Sequence, residues 1–148
     1  MSDALERRVQ RLEDLEGIRT VTATYAHIVD KGYNDKGKLD KDALAGVFTK
    51  DTTWTNAAFR AHAAGVDNVI DLLEKSSDPF KFAMHSFTNP VIEIDGDTAK
   101  ATWLLWVAVD FGAGGNEVFQ SEDLIYQRTE DGWKIKSIDL HFGQFLNG

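Results

Sequence analysis

His85 is the side chain of this sequence most able to move a proton at neutral pH. It stands at the head of the alternating stretch Met84–Ile94, where an extended segment runs into an apolar core. A histidine so placed is either a buried structural group or the base of an active site, and its neighbours decide which. Several ionisable groups could matter. Tyr25 and Asp30 lie five residues apart at the end of a long periodic segment. His27 and Asp30 have helical spacing, but two side chains make a poor metal site and surface groups explain them better. Glu122 and Asp123 interrupt an otherwise apolar stretch, so one of them must face inward. A bulge would swap them, and alternation leaves the choice open. Asp139 and His141 share one face of the last strand, as structural, rim or substrate-contacting groups.

The elements that must position these groups follow from periodicity. Leu12, Leu15, Ile18, Thr22, Tyr25 and Val29 recur at helical steps, which predicts a long helix with Glu13, Asp14, Glu16 and Arg19 off its apolar stripe. Gly32 suits a left-handed stop, so Tyr25 falls on the buried face and Asp30 at the helix end. Residues 33–42 read as a polar loop, able to cover a pocket. A short helix at 42–48 and a brief strand at 53–56 come next, and His62 falls in exposed loop. Residues 67–75 form a second amphipathic helix, ended by Ser77-Asp78-Pro79.

From His85 the period becomes two. His85, Phe87, Asn89, Val91 and Glu93 share one face of the first long strand. Strands at 98–110, 118–128 and 133–142 follow, joined by Asp95-Gly96-Asp97, Gly112–Asn116 and Thr129–Gly132. Beyond Trp103 both faces of its strand are apolar, which predicts cover on both. Lys134 and Lys136 mark the wet face of the last strand, placing Ile135, Ser137, Asp139 and His141 opposite. Helices first and a meander of long strands after make an α+β layout, with helices against a curved antiparallel sheet. Such a cone offers its mouth as a ligand site.

The 148 residues are read as one domain, residues 1–148. A net charge of −8 disfavours nucleic acid and anionic membrane surfaces. The absence of cysteine removes disulfides and thiolate chemistry. The N-terminus is charged and helical, and no run reaches the roughly 18–20 apolar residues of a membrane span. A cytoplasmic protein is the expectation. No glycine-rich phosphate loop or dinucleotide fingerprint is present, and no cofactor is expected.

Taken together, Tyr25–Asp30, Gly65–Ile70, His85 with Asn89, the turn Asp95–Ala99 and the closing Asp131–Ile135 resemble the SnoaL-like branch of the nuclear transport factor 2-like superfamily. The resemblance covers nearly the whole chain. It implies a cone-shaped, cystatin-like α+β barrel, assembled as a homodimer or homotrimer. Among its members the scytalone and bile-acid dehydratases are most similar. They carry an aspartate at the helix end, matched by Asp30, and a histidine at the strand opening, matched by His85. The bile-acid enzyme also has a tyrosine at the spacing of Tyr25. The second histidine of scytalone dehydratase has no counterpart in Ala101–Trp106. The acid and the arginine of the bile-acid enzyme are also unmatched, and the last strand offers Asp139 and His141 instead.

Elimination beside a carbonyl or phenol needs a base, an acid and an oxyanion donor. His85 could be base and acid in turn, Asp30 could fix its tautomer, and Tyr25 could donate to the oxygen. Asn89 could hold the substrate by hydrogen bonds. Trp54, Phe59, Phe82, Phe87, Trp103 and Phe119 could line an aromatic cavity, although any one of them is more often plain core. The expected function is a cofactor-independent, dehydratase-like lyase acting on a hydrophobic cyclic or aromatic small molecule. An isomerase or cyclase using the same base, and a non-catalytic binding or assembly module, are the alternatives.

Overall fold

A computed structural model describes residues 2–147. Helix α1 (Asp3–Val29) leads to α2 (Lys41–Val47), β1 (Phe48–Asn56), a short 3₁₀ turn, β2 (Ala61–Ala64) and α3 (Val66–Ser77). Four long strands complete the chain: β3 (Phe82–Asp95), β4 (Thr98–Asp110), β5 (Gly115–Thr129) and β6 (Gly132–Asn147). They form one six-stranded sheet in the order β2-β1-β6-β5-β4-β3, antiparallel except where β1 runs parallel to β6. The α+β layout of helices on a sheet is therefore as the sequence predicts, with one parallel pair in it. Among the described residues no helix is long and apolar enough to cross a membrane.

Helix α1 meets the sheet through Asp14, Ile18, Val21, Thr22, Tyr25 and Val29. The predicted stripe starts too early: Leu12 is 66% exposed and Asp14 is buried. Asp14 is the polar anchor of the contact. It accepts from Arg128 Nη1 and Nη2 at 2.5 and 2.9 Å and from Trp133 Nε1 at 3.2 Å. The hydrogen bonds from Arg128 hold its carboxyl below the ordinary range against the pull of burial. Gly17 lets the helix come close, because a Cβ there would stand 2.9 Å from the Trp133 ring.

A directed hydrogen-bond chain runs through the core. Trp103 Nε1 donates to the Tyr126 hydroxyl at 2.9 Å, Tyr126 pairs with Thr22 Oγ1 at 2.7 Å, and Thr22 donates to the Ile18 carbonyl. Because the Thr22 proton is used on Ile18, Tyr126 is the donor to Thr22.

Three β-bulges set which residues face inward. Two residues of β3, Asn89 and Pro90, oppose Trp103 alone, and Asn89 takes φ 48°. On β6, Lys136 and Gly143 are each the extra residue against β5. A bulge shifts the two-residue period by one, so inside and outside exchange beyond it. On β3 the inner positions are Phe87 before the bulge and Ile92 and Ile94 after it. On β6 they change from Trp133 and Ile135 to Ile138 and Leu140.

Within the single chain only the inner face of β4 is covered. Leu104 and Trp106 are exposed on the outer face, and Trp106 stacks on Phe119 with ring centroids 6.3 Å apart. His62, expected in a loop, is an exposed position of β2, bonded through Nδ1 to Thr55 Oγ1 at 2.8 Å.

Candidate active site

The end of α1 is fastened to the opening of β3 by backbone. Lys31 and Ala83 exchange both N–H···O bonds at 2.9 Å, an isolated antiparallel bridge. Asp30 precedes that bridge and His85 follows it by two residues, which brings them together across 55 positions of sequence. Gly32 completes the turn at φ 92°. A Cβ there would lie 2.3 Å from the Lys81 carbonyl, so only glycine fits.

Asp30 is 6% exposed and satisfied on both oxygens. Oδ1 accepts from the His85 backbone N–H at 2.7 Å and pairs with His85 Nδ1 at 3.0 Å. Oδ2 accepts from the Tyr33 hydroxyl. Burial would raise the Asp30 carboxyl, but the bonds from His85 and Tyr33 outweigh it and hold the group below its ordinary value. An ionised acceptor requires a donor on Nδ1, so neutral His85 carries its proton there and leaves the Nε2 lone pair free. Tyr33 is pushed up to about 12 by its bond to Asp30, so it stays a donor.

His85 lines a cavity of about 370 Å³ between the sheet and the helices. Leu105, Val107, Val118 and Leu140 form its aliphatic wall, and the partly exposed Phe59, Phe111 and Phe145 rim it. Tyr25 and Trp54 line it as well, with Asn56, Gln120 and Glu122 as further polar groups. Burial, reinforced by the nearby Glu122 carboxyl, pushes the Tyr25 phenol far up against the opposing pull of the neighbouring Trp54 N–H, so it stays neutral. Glu122 is 2% exposed, and burial raises its pKa from 4.5 to about 8. The choice between Glu122 and Asp123 is thereby settled: Glu122 faces inward. Asp123 faces out, accepting from Thr102 at 2.5 Å and pairing with His141 Nε2 at 2.8 Å.

Other expected substrate contacts lie elsewhere. Asn89 is exposed in the β3 bulge rather than inward of His85. Asp139 and His141 are on the outer face, because the Lys136 bulge reverses the period before them. Phe119 is 40% exposed on that same face. Trp103 is core, its N–H consumed by Tyr126. Phe87 packs edge-on against Tyr25 and Trp103 behind the cavity wall. Sequence reasoning missed Tyr33, Asn56 and Gln120. Asn56 carried a signal, a polar residue two after the inward Trp54 on one strand.

His85, backed by the Asp30 carboxylate, and Tyr25 thus share one apolar cavity. The sequence profile of the SnoaL-like domain matches residues 10–139. A search of curated protein sequences found no match. Among solved structures, a candidate scytalone dehydratase from Novosphingobium aromaticivorans superposes with a TM-score of 0.79 at 16% identity, covering 93% of this chain and 89% of that one. Hexachlorocyclohexane dehydrochlorinase LinA-type3 from Novosphingobium barchaimii gives 0.79 at 18% identity, covering 95% and 94%. A nuclear transport factor 2-like protein with a cystatin-like fold from Novosphingobium aromaticivorans gives 0.79 at 22% identity, covering 93% and 87%. The chain belongs to the SnoaL-like domain family and has the nuclear transport factor 2-like fold.

Proposed function

We propose that the protein is a cofactor-independent lyase that eliminates water or a comparable leaving group from a hydrophobic cyclic or aromatic small molecule. The observation that carries this reading is the His85–Asp30 pair, whose 3.0 Å bond leaves Nε2 as the free base at an apolar cavity. His85 Nε2 takes a proton from carbon, and the imidazolium formed is stabilised by the buried Asp30 carboxylate. The same proton then passes to the departing oxygen, so the residue serves as base and acid in turn. Tyr25 donates to the oxygen that gathers charge. Apolar walls keep the reacting groups dry and strengthen each of these interactions. The dehydratase and dehydrochlorinase names borne by structural neighbours are compatible with eliminations.

The test is product mass. Wild type and His85→Ala are incubated with hydroxylated and halogenated alicyclic and aromatic compounds in deuterated buffer. Loss of water or hydrogen halide by the wild type alone supports the lyase. Unchanged mass with deuterium incorporation points to an isomerase. A folded His85→Ala protein with full activity rejects the assignment of the base.

A further inference from the structure

We propose that Glu122, Asn56 and the Trp54 indole form a hydroxyl-binding subsite away from His85, which selects an uncharged, ring-sized apolar molecule carrying an alcohol. This deepens the lyase reading and rests on it only in treating the cavity as the substrate site.

The first support is an imbalance of hydrogen bonds. Among the described residues, four buried side-chain polar atoms lack a partner: Thr52 Oγ1, Trp54 Nε1, Asn56 Oδ1 and Glu122 Oε2. Three of them belong to residues lining the one cavity. Each such atom costs about 1–3 kcal/mol, and native proteins keep few of them without a reason.

The second support is register. Asn56 and Glu122 both pair with Leu140, so they flank it on one rung of β1, β6 and β5. Trp54 is two residues before Asn56 and also lines the cavity. The rung of His85 runs instead through Val107 and Val118. Glu122 is therefore two strands across and four residues along from His85. That is a backbone separation on the order of 16 Å at ordinary strand and residue spacings.

The third support is chemistry. The indole N–H only donates and Asn56 Oδ1 only accepts. Glu122, with no cation to pair with, is neutral below about pH 8 and can do both. A hydroxyl accepts and donates at once. An ether can only accept, and an ammonium can only donate. A carboxylate would meet the Asn56 oxygen with a like partial charge.

Three probes of one skeleton separate these cases: menthol, menthyl methyl ether and menthylammonium. They are titrated into ¹⁵N-labelled protein at about pH 6.5 while the indole N–H resonances are followed, with Trp54 assigned by its loss in Trp54→Phe. Menthol should bind at least tenfold tighter than the ether and move the Trp54 signal. Menthylammonium should gain nothing over the ether. Glu122→Gln should keep the preference for the alcohol and Glu122→Leu should erase it. His85→Ala should leave it intact, so the subsite can stand even if that variant retains turnover and the lyase reading falls. Equal binding of alcohol and ether, binding of neither, a preference for the ammonium, or an unaltered preference in Glu122→Leu overturns the proposal.

Discussion

Replacing Glu122 with glutamine changes one functional group in the cavity wall, and its effect on stability should depend on pH. In the folded chain the carboxyl is 2% exposed and burial holds its pKa near 8, against 4.5 ordinarily. Below about pH 4.5 the acid is neutral in both states and its contribution to stability is fully present. Above that, the unfolded chain ionises while the folded chain stays protonated, and stability falls until the folded group also ionises near pH 8. At about 1.4 kcal/mol per pH unit, the loss across this window is about 5 kcal/mol. Glutamine keeps the shape and has nothing to ionise. Urea denaturation of both proteins, at steps from about pH 5 to about pH 8.5, isolates the effect, because every other titrating group cancels in the difference. The glutamine variant should gain on the wild type steadily, from near parity at the acid end to several kcal/mol at the alkaline end. Parallel curves would refute the claim that an unpaired carboxyl is buried there.

Three further predictions concern the framework. Asp30→Asn should keep the fold by circular dichroism and lower turnover about a thousandfold, since the base loses its tautomer lock and its counter-charge. A wild-type rate would show that Asp30 does not act on His85. Gly32→Ala should cost about 2–4 kcal/mol, combining a left-handed alanine with overlap on the Lys81 carbonyl, and depress the thermal midpoint by about 5–15 °C. An unshifted midpoint would contradict the tight turn. Asp14→Ala should destabilise by about 2 kcal/mol in denaturant, because the Trp133 N–H loses its acceptor while Arg128, partly exposed, retains Asp97. A loss under about 0.5 kcal/mol would mean that water replaces the carboxylate freely.

The sequence discloses most of what depends on local pattern. The helix carrying Tyr25, its stop near Gly32 and the strand opening at His85 are each readable, because a 3.6-residue stripe, a glycine and a change of period mark them. What is hidden depends on register. Nothing local announces that Lys136 is an extra residue, so Asp139 and His141 read as inward until pairing with β5 shows otherwise. The same holds for Asn89. Glu122 is ambiguous for a related reason, since its partners Trp103 and Leu140 are fixed only by the whole sheet. Asp14 misleads differently. An acid on a helix is normally solvated, and its burial is made tolerable chiefly by Arg128 and Trp133, 114 and 119 residues away.

The bulges also determine which mutations can rebuild this site in a single step. A substitution alters one side chain, whereas loss of Lys136 would remove that bulge between β5 and β6 and turn the segment from there to Gly143 over by half a turn. Ile138 and Leu140 would leave the interior, and Asp139 and His141 would enter it together. Chain length therefore works as a reading frame for the sheet. An acid and an imidazole, 3.8 Å apart on the outer surface, lie one deletion away from the cavity, a shorter evolutionary path to altered chemistry than successive replacements at buried positions.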